Sequence, residues 1–349
     1  MDKVLMKGNE AIAEAAMRAN CRHFFGYPIT PQTEISAYLA KKMPKIGGTF
    51  LQAESEIAAI NMVYGAAGVG VRAMTSSSSP GISLKQEGIS YIAGADLPCV
   101  IVNIVRGGPG LGGIQPAQSD YFQATKGGGH GDYHLIVLAP SSIQEAVDCT
   151  TNAFDLADKY RMPVMILGDG MLGQMMEPIA FPEESEVKEI EKPWATTGTK
   201  MERKRNVINS LFLEPKELED LVVERYKKYD AIKENEVKYE TYNIEDADIV
   251  LVAYGTTARI AMAAMTGARE EGIKVGLIRP ITLWPFPEKI IAETAKNVKA
   301  MISVEMSMGQ MIEDIKLAVN GACPVEFCGR TGGMVPTPAE ILDAIRKVK

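Results

Sequence analysis

Four short runs of this chain carry residue types suited to acid–base and carboxylate chemistry. Thr30 stands between two prolines in Gly26-Tyr27-Pro28-Ile29-Thr30-Pro31. Glu54 and Glu56 flank Ser55, Ser76 to Ser79 lead into Pro80-Gly81, and Arg106 opens a glycine-rich run, 107–113. Proline fixes its own φ and pushes its predecessor towards extended geometry, so Thr30 sits in a stiff bend with its hydroxyl held in place. That makes a preorganised donor, although a rigid turn ahead of a helix with Pro31 at its first position gives the same pattern. A guanidinium is a planar fork that pairs bidentately with a carboxylate or phosphate. Serines at a helix start either cradle an anion or cap the turn. A carboxyl among apolar residues has a raised pKa unless it finds a partner, which suits proton transfer. Glu54 and Glu56 lie between apolar stretches 50–52 and 57–60. The plainer account is a glutamate in a first helical turn, worth about 0.3–1 kcal/mol against the dipole.

Short β-branched runs alternate with helical periodicity and must position these residues. Segments 23–25, 50–52, 71–74, 99–105, 135–138 and 163–167 read as buried strands, and 10–20, 32–41, 55–67 and 141–160 as helices. This is the βαβ signature of a mostly parallel sheet. Each chemical run falls just past the carboxyl end of a strand, where open parallel sheets bind ligands. From 183 the character changes to a linker, 183–245, with a charged helix over 211–238, and a second α/β unit starts near 246. Gly108 to Gly113 contains GxGxxG, but Ile114-Gln115-Pro116 follows where a dinucleotide site needs a helix. Gly168-Asp169-Gly170 reads as a strand-end turn.

Composition excludes several classes. A chain of 349 residues holds about two domains. The net charge of -7 disfavours a nucleic-acid binder. No run of 18 apolar residues predicts a membrane span, and the N-terminus lacks a signal-peptide layout. Five cysteines form no CxxC pair and three histidines are scattered, so neither a cluster nor a metal site is expected on this chain. An odd, unclustered cysteine count suits a reducing cytoplasm.

Tyr27-Pro28-Ile29-Thr30-Pro31, Glu56 with Gly65 beyond it, Ser76 to Gly81 and Arg106 together resemble the α-type subunit of the 2-oxoacid:ferredoxin oxidoreductases. The segment Gly276 to Pro287 is similar to that family's second domain, and Met6 to Ala11 with the short length looks most like the branched-chain type, acting on 3-methyl-2-oxobutanoate. The resemblance covers the whole chain. It implies an α/β fold: a doubly wound, pyrimidine-type thiamine-diphosphate-binding domain (1–182), then the linker, then a transketolase C-terminal-like α/β domain (246–349). It implies that Glu56 hydrogen-bonds the aminopyrimidine of thiamine diphosphate and switches the cofactor on, with Glu54 as the second choice. It implies that Thr30 and Arg106 hold the substrate carboxylate, and that Tyr27, Pro28, Ile29, Ser77 and Ser78 contact the cofactor.

The departures are as informative. The asparagine expected about thirty residues after a GDG motif is missing near 195–200. The resemblance then implies that a separate β-type subunit binds the diphosphate and Mg²⁺, and that [4Fe-4S] clusters lie on partner subunits, with γ-type and ferredoxin-like subunits completing the assembly. Self-association is expected too. Ferredoxin, CoA and the 2-oxoacid are the implied substrates. A pyruvate or 2-oxoglutarate enzyme of the same family, or a non-catalytic scaffold subunit, are the alternatives. Scaffolding requires none of Thr30, Glu56 and Arg106.

Overall fold

The computed structural model describes residues 3–182 and 190–348. An N-terminal strand β1 (Val4–Lys7) leads into helix α1 (Gly8–Arg18) and then into a parallel sheet. Its strands are β2 (His23–Gly26), β3 (Thr49–Gln52), β4 (Ala73–Ser77), β5 (Cys99–Val105), β6 (Ile136–Leu138) and β7 (Pro163–Asp169). Between them run α2 (Thr33–Lys42), α3 (Glu56–Gly68), α4 (Pro80–Gly94), the short α5 (Tyr121–Thr125) and α6 (Ile143–Tyr160). Strands β4, β5 and β7 are buried throughout, as expected for strands covered on both faces. Strand β3 departs from the buried strand expected over 50–52. It is the sheet edge and mostly exposed, because only β2 pairs with it.

Local chemistry sets the helix starts. Ser55 caps α3 by accepting from the Ala58 N–H at 3.2 Å, and Ser142 caps α6 by accepting from the Glu145 N–H at 3.1 Å. Helix α2 starts at Thr33, so Pro31 lies in the preceding turn rather than at the first helical position. After β7 come α7 (Gly170–Gln174) and β8 (Met176–Ile179), which returns to pair antiparallel with β1.

The charged helix appears as α8 (Pro215–Asn235). It shows charges outward but is docked along one side. Arg225 donates to Asp96 and to the Gly94 carbonyl at 3.0–3.1 Å, while Tyr229 and Ile232 are buried. Five further strands and their helices build a second sheet. Strand β9 (Tyr239–Tyr242) is antiparallel at one edge, and β10 (Ile249–Val252), α9 (Gly255–Glu270) and β11 (Val275–Pro280) follow. Strand β12 (Thr282–Trp284) leaves this unit and pairs with β6, extending the first sheet to seven strands in the order β12-β6-β7-β5-β4-β2-β3. Helix α10 (Glu288–Ala295), β13 (Ala300–Glu305), α11 (Met311–Val319), β14 (Val325–Gly329) and α12 (Pro338–Val348) complete the chain. The strand order of the second sheet is β14-β13-β10-β11-β9.

The two halves are stitched next to the sheet's carboxyl edge. Arg279 pairs with Glu145 through two 2.8 Å hydrogen bonds, and Gln118 donates to the Tyr254 carbonyl at 2.9 Å while accepting from the Met306 N–H at 3.0 Å. Among the described residues, no helix is long and apolar enough to cross a membrane.

Candidate functional site

Glu56 is the first residue of α3, immediately after the Ser55 cap. The residue is only 6% exposed. That burial does not come from the apolar stretch 50–52 that the sequence pattern suggested, since Leu51 and Ile57 are exposed. It comes from the start of α4. A Cβ added at Gly81 would lie 2.1 Å from Ser77 Oγ and 2.7 Å from Glu56 Oε1, so only glycine lets the two helix starts meet. Glu56 takes no side-chain hydrogen bond among the described residues. Its neighbouring charge is the Lys85 ammonium, which is fully buried on α4.

The serine run is not a plain capped turn. Ser79, in the capping position of α4, makes no side-chain cap bond and holds a left-handed φ of 23°. Such a backbone persists only where its surroundings impose it. Its hydroxyl is spent on Arg106, accepting from the Arg106 N–H at 3.1 Å and donating to the Arg106 carbonyl at 3.3 Å. Ser77 and Ser78 are fully buried, and neither hydroxyl has a partner. Buried hydroxyls are normally satisfied, at about 1–3 kcal/mol each if left unpaired. Two adjacent ones beside an unbonded carboxyl suit a polar ligand.

Arg106 and Thr30 meet, but not through the threonine hydroxyl. The Arg106 Nη1–H donates to the Thr30 carbonyl at 2.9 Å, and Nη2–H donates to the Leu111 carbonyl at 2.9 Å. The Thr30–Pro31 bond is cis and Thr30 itself is exposed. Arg106 is only 7% exposed, and its Nε–H is buried without a partner. Thr30 and Pro31 form one wall of a cleft of about 590 Å³, faced by Ile114, Pro116, Met171 and Val335.

Tyr27 joins the same network, whereas Pro28 is exposed and Ile29 only supports the turn. The Gln32 Nε2–H donates to the Tyr27 carbonyl at 3.3 Å, and the Ser76 hydroxyl donates to Gln32 Oε1 at 2.6 Å. Gln32 and Lys85 escaped the sequence reading. Lys85 had a signal: it occupies a core position of the α4 pattern, in phase with Ile82, Ile89 and Ile92. Glu54 is exposed and its carboxyl accepts only from the Ser55 hydroxyl, so the structure separates it from Glu56. Asp169 caps α7, accepting from the Met171 and Leu172 N–H groups at 2.8 and 3.1 Å, and also bonds Thr256 across the halves. Burial pushes its carboxyl pKa up.

The close approach at Gly81 gives a direct expectation. Gly81→Ala must displace Ser77 or Glu56, and overpacking of this kind costs about 1–3 kcal/mol. A lowered Tm is the expected result; an unchanged Tm would mean that the turn opens freely.

Residues 14–246 match the thiamine-diphosphate-binding family described as pyruvate flavodoxin/ferredoxin oxidoreductase, and residues 247–341 match pyruvate:ferredoxin oxidoreductase core domain II. The chain is 54% identical over 345 residues to ketoisovalerate oxidoreductase subunit VorB of Methanothermobacter marburgensis, covering 99% of this chain and 97% of that one. It is 37% identical over 376 residues to the 2-oxoglutarate synthase subunit KorA of the same organism, with both chains covered fully. A solved 2-oxoglutarate:ferredoxin oxidoreductase from Magnetococcus marinus, with 2-oxoglutarate, coenzyme A and succinyl-CoA bound, matches with a TM-score of 0.89 and 28% identity over 99% of this chain; the chain spans 65% of that longer one. A split-gene transketolase, with a TM-score of 0.62 and 15% identity, shares the fold.

Proposed function

The chain belongs to the pyruvate flavodoxin/ferredoxin oxidoreductase family, and from that premise we propose that it is the α-type subunit of a branched-chain 2-oxoacid:ferredoxin oxidoreductase. The reaction is oxidative decarboxylation of 3-methyl-2-oxobutanoate with CoA, giving acyl-CoA, CO2 and reduced ferredoxin. The observation that carries this reading is Glu56, buried and without a side-chain hydrogen bond where Gly81 brings it against the orphaned Ser77 hydroxyl, with the equally orphaned Ser78 hydroxyl next along the chain.

Those groups fit the aminopyrimidine end of thiamine diphosphate, a flat heterocycle with ring nitrogens and an exocyclic amine. Glu56 would hold a ring nitrogen, and Ser77 and Ser78 would line the ring's polar edge with the 27–29 turn near by. Bound there, the cofactor supplies a carbon nucleophile and an electron sink for decarboxylation. The chain's own part is to position. A carboxyl in a site of low dielectric makes a stronger hydrogen bond than one in water. Thr30 and Arg106 orient the oxoacid by its carboxylate, so that the keto carbon is presented in one direction.

The cleft beside Thr30 supports an aliphatic substrate. Ile114, Pro116, Met171 and Val335 give it apolar walls, and no lysine or arginine lines it. Arg106 stands behind the Thr30 carbonyl and is assigned to the first carboxylate, so a second one, as in 2-oxoglutarate, would find no cation in the cleft wall and would meet Glu34 instead. Similarity to the ketoisovalerate subunit points the same way.

The site is half of a centre. Helix α3 leaves Ile57 and Met62 exposed, and Val69 just past its end is exposed too. Exposed apolar residues next to a buried carboxyl suit a partner subunit. We place the diphosphate, the Mg²⁺ and the [4Fe-4S] clusters on partner subunits of β, γ and ferredoxin-like type, and the assembly in the cytoplasm. We divide the chain into a pyrimidine-binding domain (1–182), a linker with α8 (183–245) and a transketolase C-terminal-like domain (246–349), with β12 crossing back to the first sheet.

The test is co-expression with the partner subunits, followed by assay with thiamine diphosphate, Mg²⁺, CoA and a viologen acceptor. Turnover is expected to be highest with 3-methyl-2-oxobutanoate. A preference of tenfold or more for 2-oxoglutarate, about 1.4 kcal/mol, would replace this substrate assignment with the alternative.

A further inference from the structure

The left-handed backbone of Ser79 has a cause outside the serine run itself. With φ at 23° and ψ at -81°, this non-glycine residue sits where side chains rarely go. Its carbonyl starts α4, accepting from the Ser83 N–H at 3.0 Å. Its hydroxyl is given to Arg106. That leaves the N–H, which donates to Asn103 Oδ1 at 3.1 Å. Asn103 lies on β5, directly across from Ser77 in the β4–β5 register, and has no solvent exposure. The other end of its amide is fixed as well, because Nδ2–H donates to Asp120 Oδ2 at 2.9 Å. Asp120 stands in the capping position of α5 yet makes no cap bond with its side chain. Its carboxylate serves Asn103 rather than its own helix.

The two partners together select this residue type. An N–H needs an acceptor, a carboxylate needs a donor, and one primary amide carries both. Aspartate at this position would offer acceptors only, and leucine, of similar size, neither. A buried polar side chain satisfied at both ends makes a rigid link. The link runs on to the site. Arg106 lies just past the end of β5, where pairing with β7 has stopped. Its backbone is held there by the Ser79 hydroxyl, at 3.1 Å from its N–H, and by an isolated bridge to Pro116. From that anchor its guanidinium reaches the Thr30 carbonyl.

We propose that Asn103 is a positioning residue for Arg106: its amide, braced on Asp120, holds the Ser79 turn in the backbone conformation from which the Ser79 hydroxyl grips Arg106. This rests on the reading of Arg106 as the partner of the substrate carboxylate. Asn103 acts through Ser79 and makes no side-chain bond to Arg106 among the described residues.

The experiment uses the assembled enzyme at about pH 8, where aspartates are ionised. Asn103→Asp puts two carboxylates in contact with no donor between them, and one must turn away. KM for 3-methyl-2-oxobutanoate and the inhibition constant of 3-methylbutanoate are expected to rise together by about tenfold or more, with kcat within about threefold of wild type. Asn103→Leu removes both bonds without adding a charge and should move both constants the same way. Combining Asn103→Asp with Asp120→Asn restores the link with its polarity reversed, since the new carboxylate accepts from the Ser79 N–H and from the new amide. This double variant is expected to return KM to within about threefold of wild type. Hydrogen exchange read on peptides covering 77–84 should quicken in each Asn103 single variant and return to the wild-type rate in the double.

Wild-type KM and inhibition constant in the single variants, with only Tm lowered, would make Asn103 a core brace and overturn the proposal. A double variant no better than Asn103→Asp would overturn it too. If neither single variant assembles, the double decides: a wild-type KM supports the link, and a raised KM or failure to assemble overturns it. Failure of the wild type to turn over any 2-oxoacid would sink the functional reading, while the exchange rates would still decide whether Asn103 fixes the Ser79 turn.

Discussion

Glu56→Gln is expected to lower kcat of the assembled enzyme by about 10²–10⁴-fold, the range that a positioned acid–base group contributes. The amide is nearly isosteric, and Glu56 takes no side-chain hydrogen bond from the described residues that its loss would break. The Ser55 cap remains, so α3 keeps its start. The loss should fall on turnover rather than on substrate affinity, because Thr30 and Arg106 form a separate group tied to Glu56 only through the serine turn. KM for the oxoacid should therefore stay within about threefold of wild type. Glu54→Gln is the control. That side chain is exposed and two residues away, so its substitution should leave turnover unaltered. Turnover retained in Glu56→Gln would remove the carboxyl from the chemistry and leave it as a dipole partner of α3 worth a fraction of a kcal/mol.

The contrast between these two glutamates shows what the sequence could and could not carry. Ser55 before an apolar helical pattern is a legible cap, and a cap fixes where the first turn lies. It does not say which side of that turn is covered. Glu56 is buried because Gly81, twenty-five residues on, lets α4 close against it, and no local pattern reports a close approach between two helix starts. Strand β3 shows the same limit from the other side. Its apolar residues read as core, but its place at the sheet edge leaves Leu51 exposed and Phe50 only half-buried. Strand β12 lies outside any local reading, since its partner β6 is more than 140 residues earlier. By contrast, β4, β5 and β7 were legible as strands because both faces are covered and their apolar runs are continuous. Lys85 lay hidden in plain view. A lysine in phase with three isoleucines breaks the helical pattern, and breaks of that kind fall at functional sites.

Substituting Arg106 is expected to act on the oxoacid, and its size can be argued from the bonds it already makes. Two guanidinium nitrogens are held by the Thr30 and Leu111 carbonyls, and the Nε–H is buried without a partner. A buried unpaired donor on a cation is expensive. It is tolerated most simply if a carboxylate completes it, and then the loss on truncation is about 2–5 kcal/mol. Arg106→Ala should accordingly lower kcat/KM for 3-methyl-2-oxobutanoate by about 10²–10³-fold, mostly through KM. The inhibition constant of 3-methylbutanoate, which keeps the carboxylate and the branched chain, should rise in parallel. Arg106→Lys separates charge from shape. Lysine keeps the positive charge but is a single point without the planar fork, so it cannot hold the Thr30 and Leu111 carbonyls and still receive a carboxylate. It should recover at most a tenth of the lost kcat/KM. If Arg106→Lys restored full activity, charge alone would suffice and the fork geometry would have no role. If Arg106→Ala left both KM and the inhibitor's affinity unchanged while lowering Tm, the guanidinium would be a brace for the 107–113 loop, and the carboxylate would have to be held by another group, Thr30 being the remaining donor of the pair.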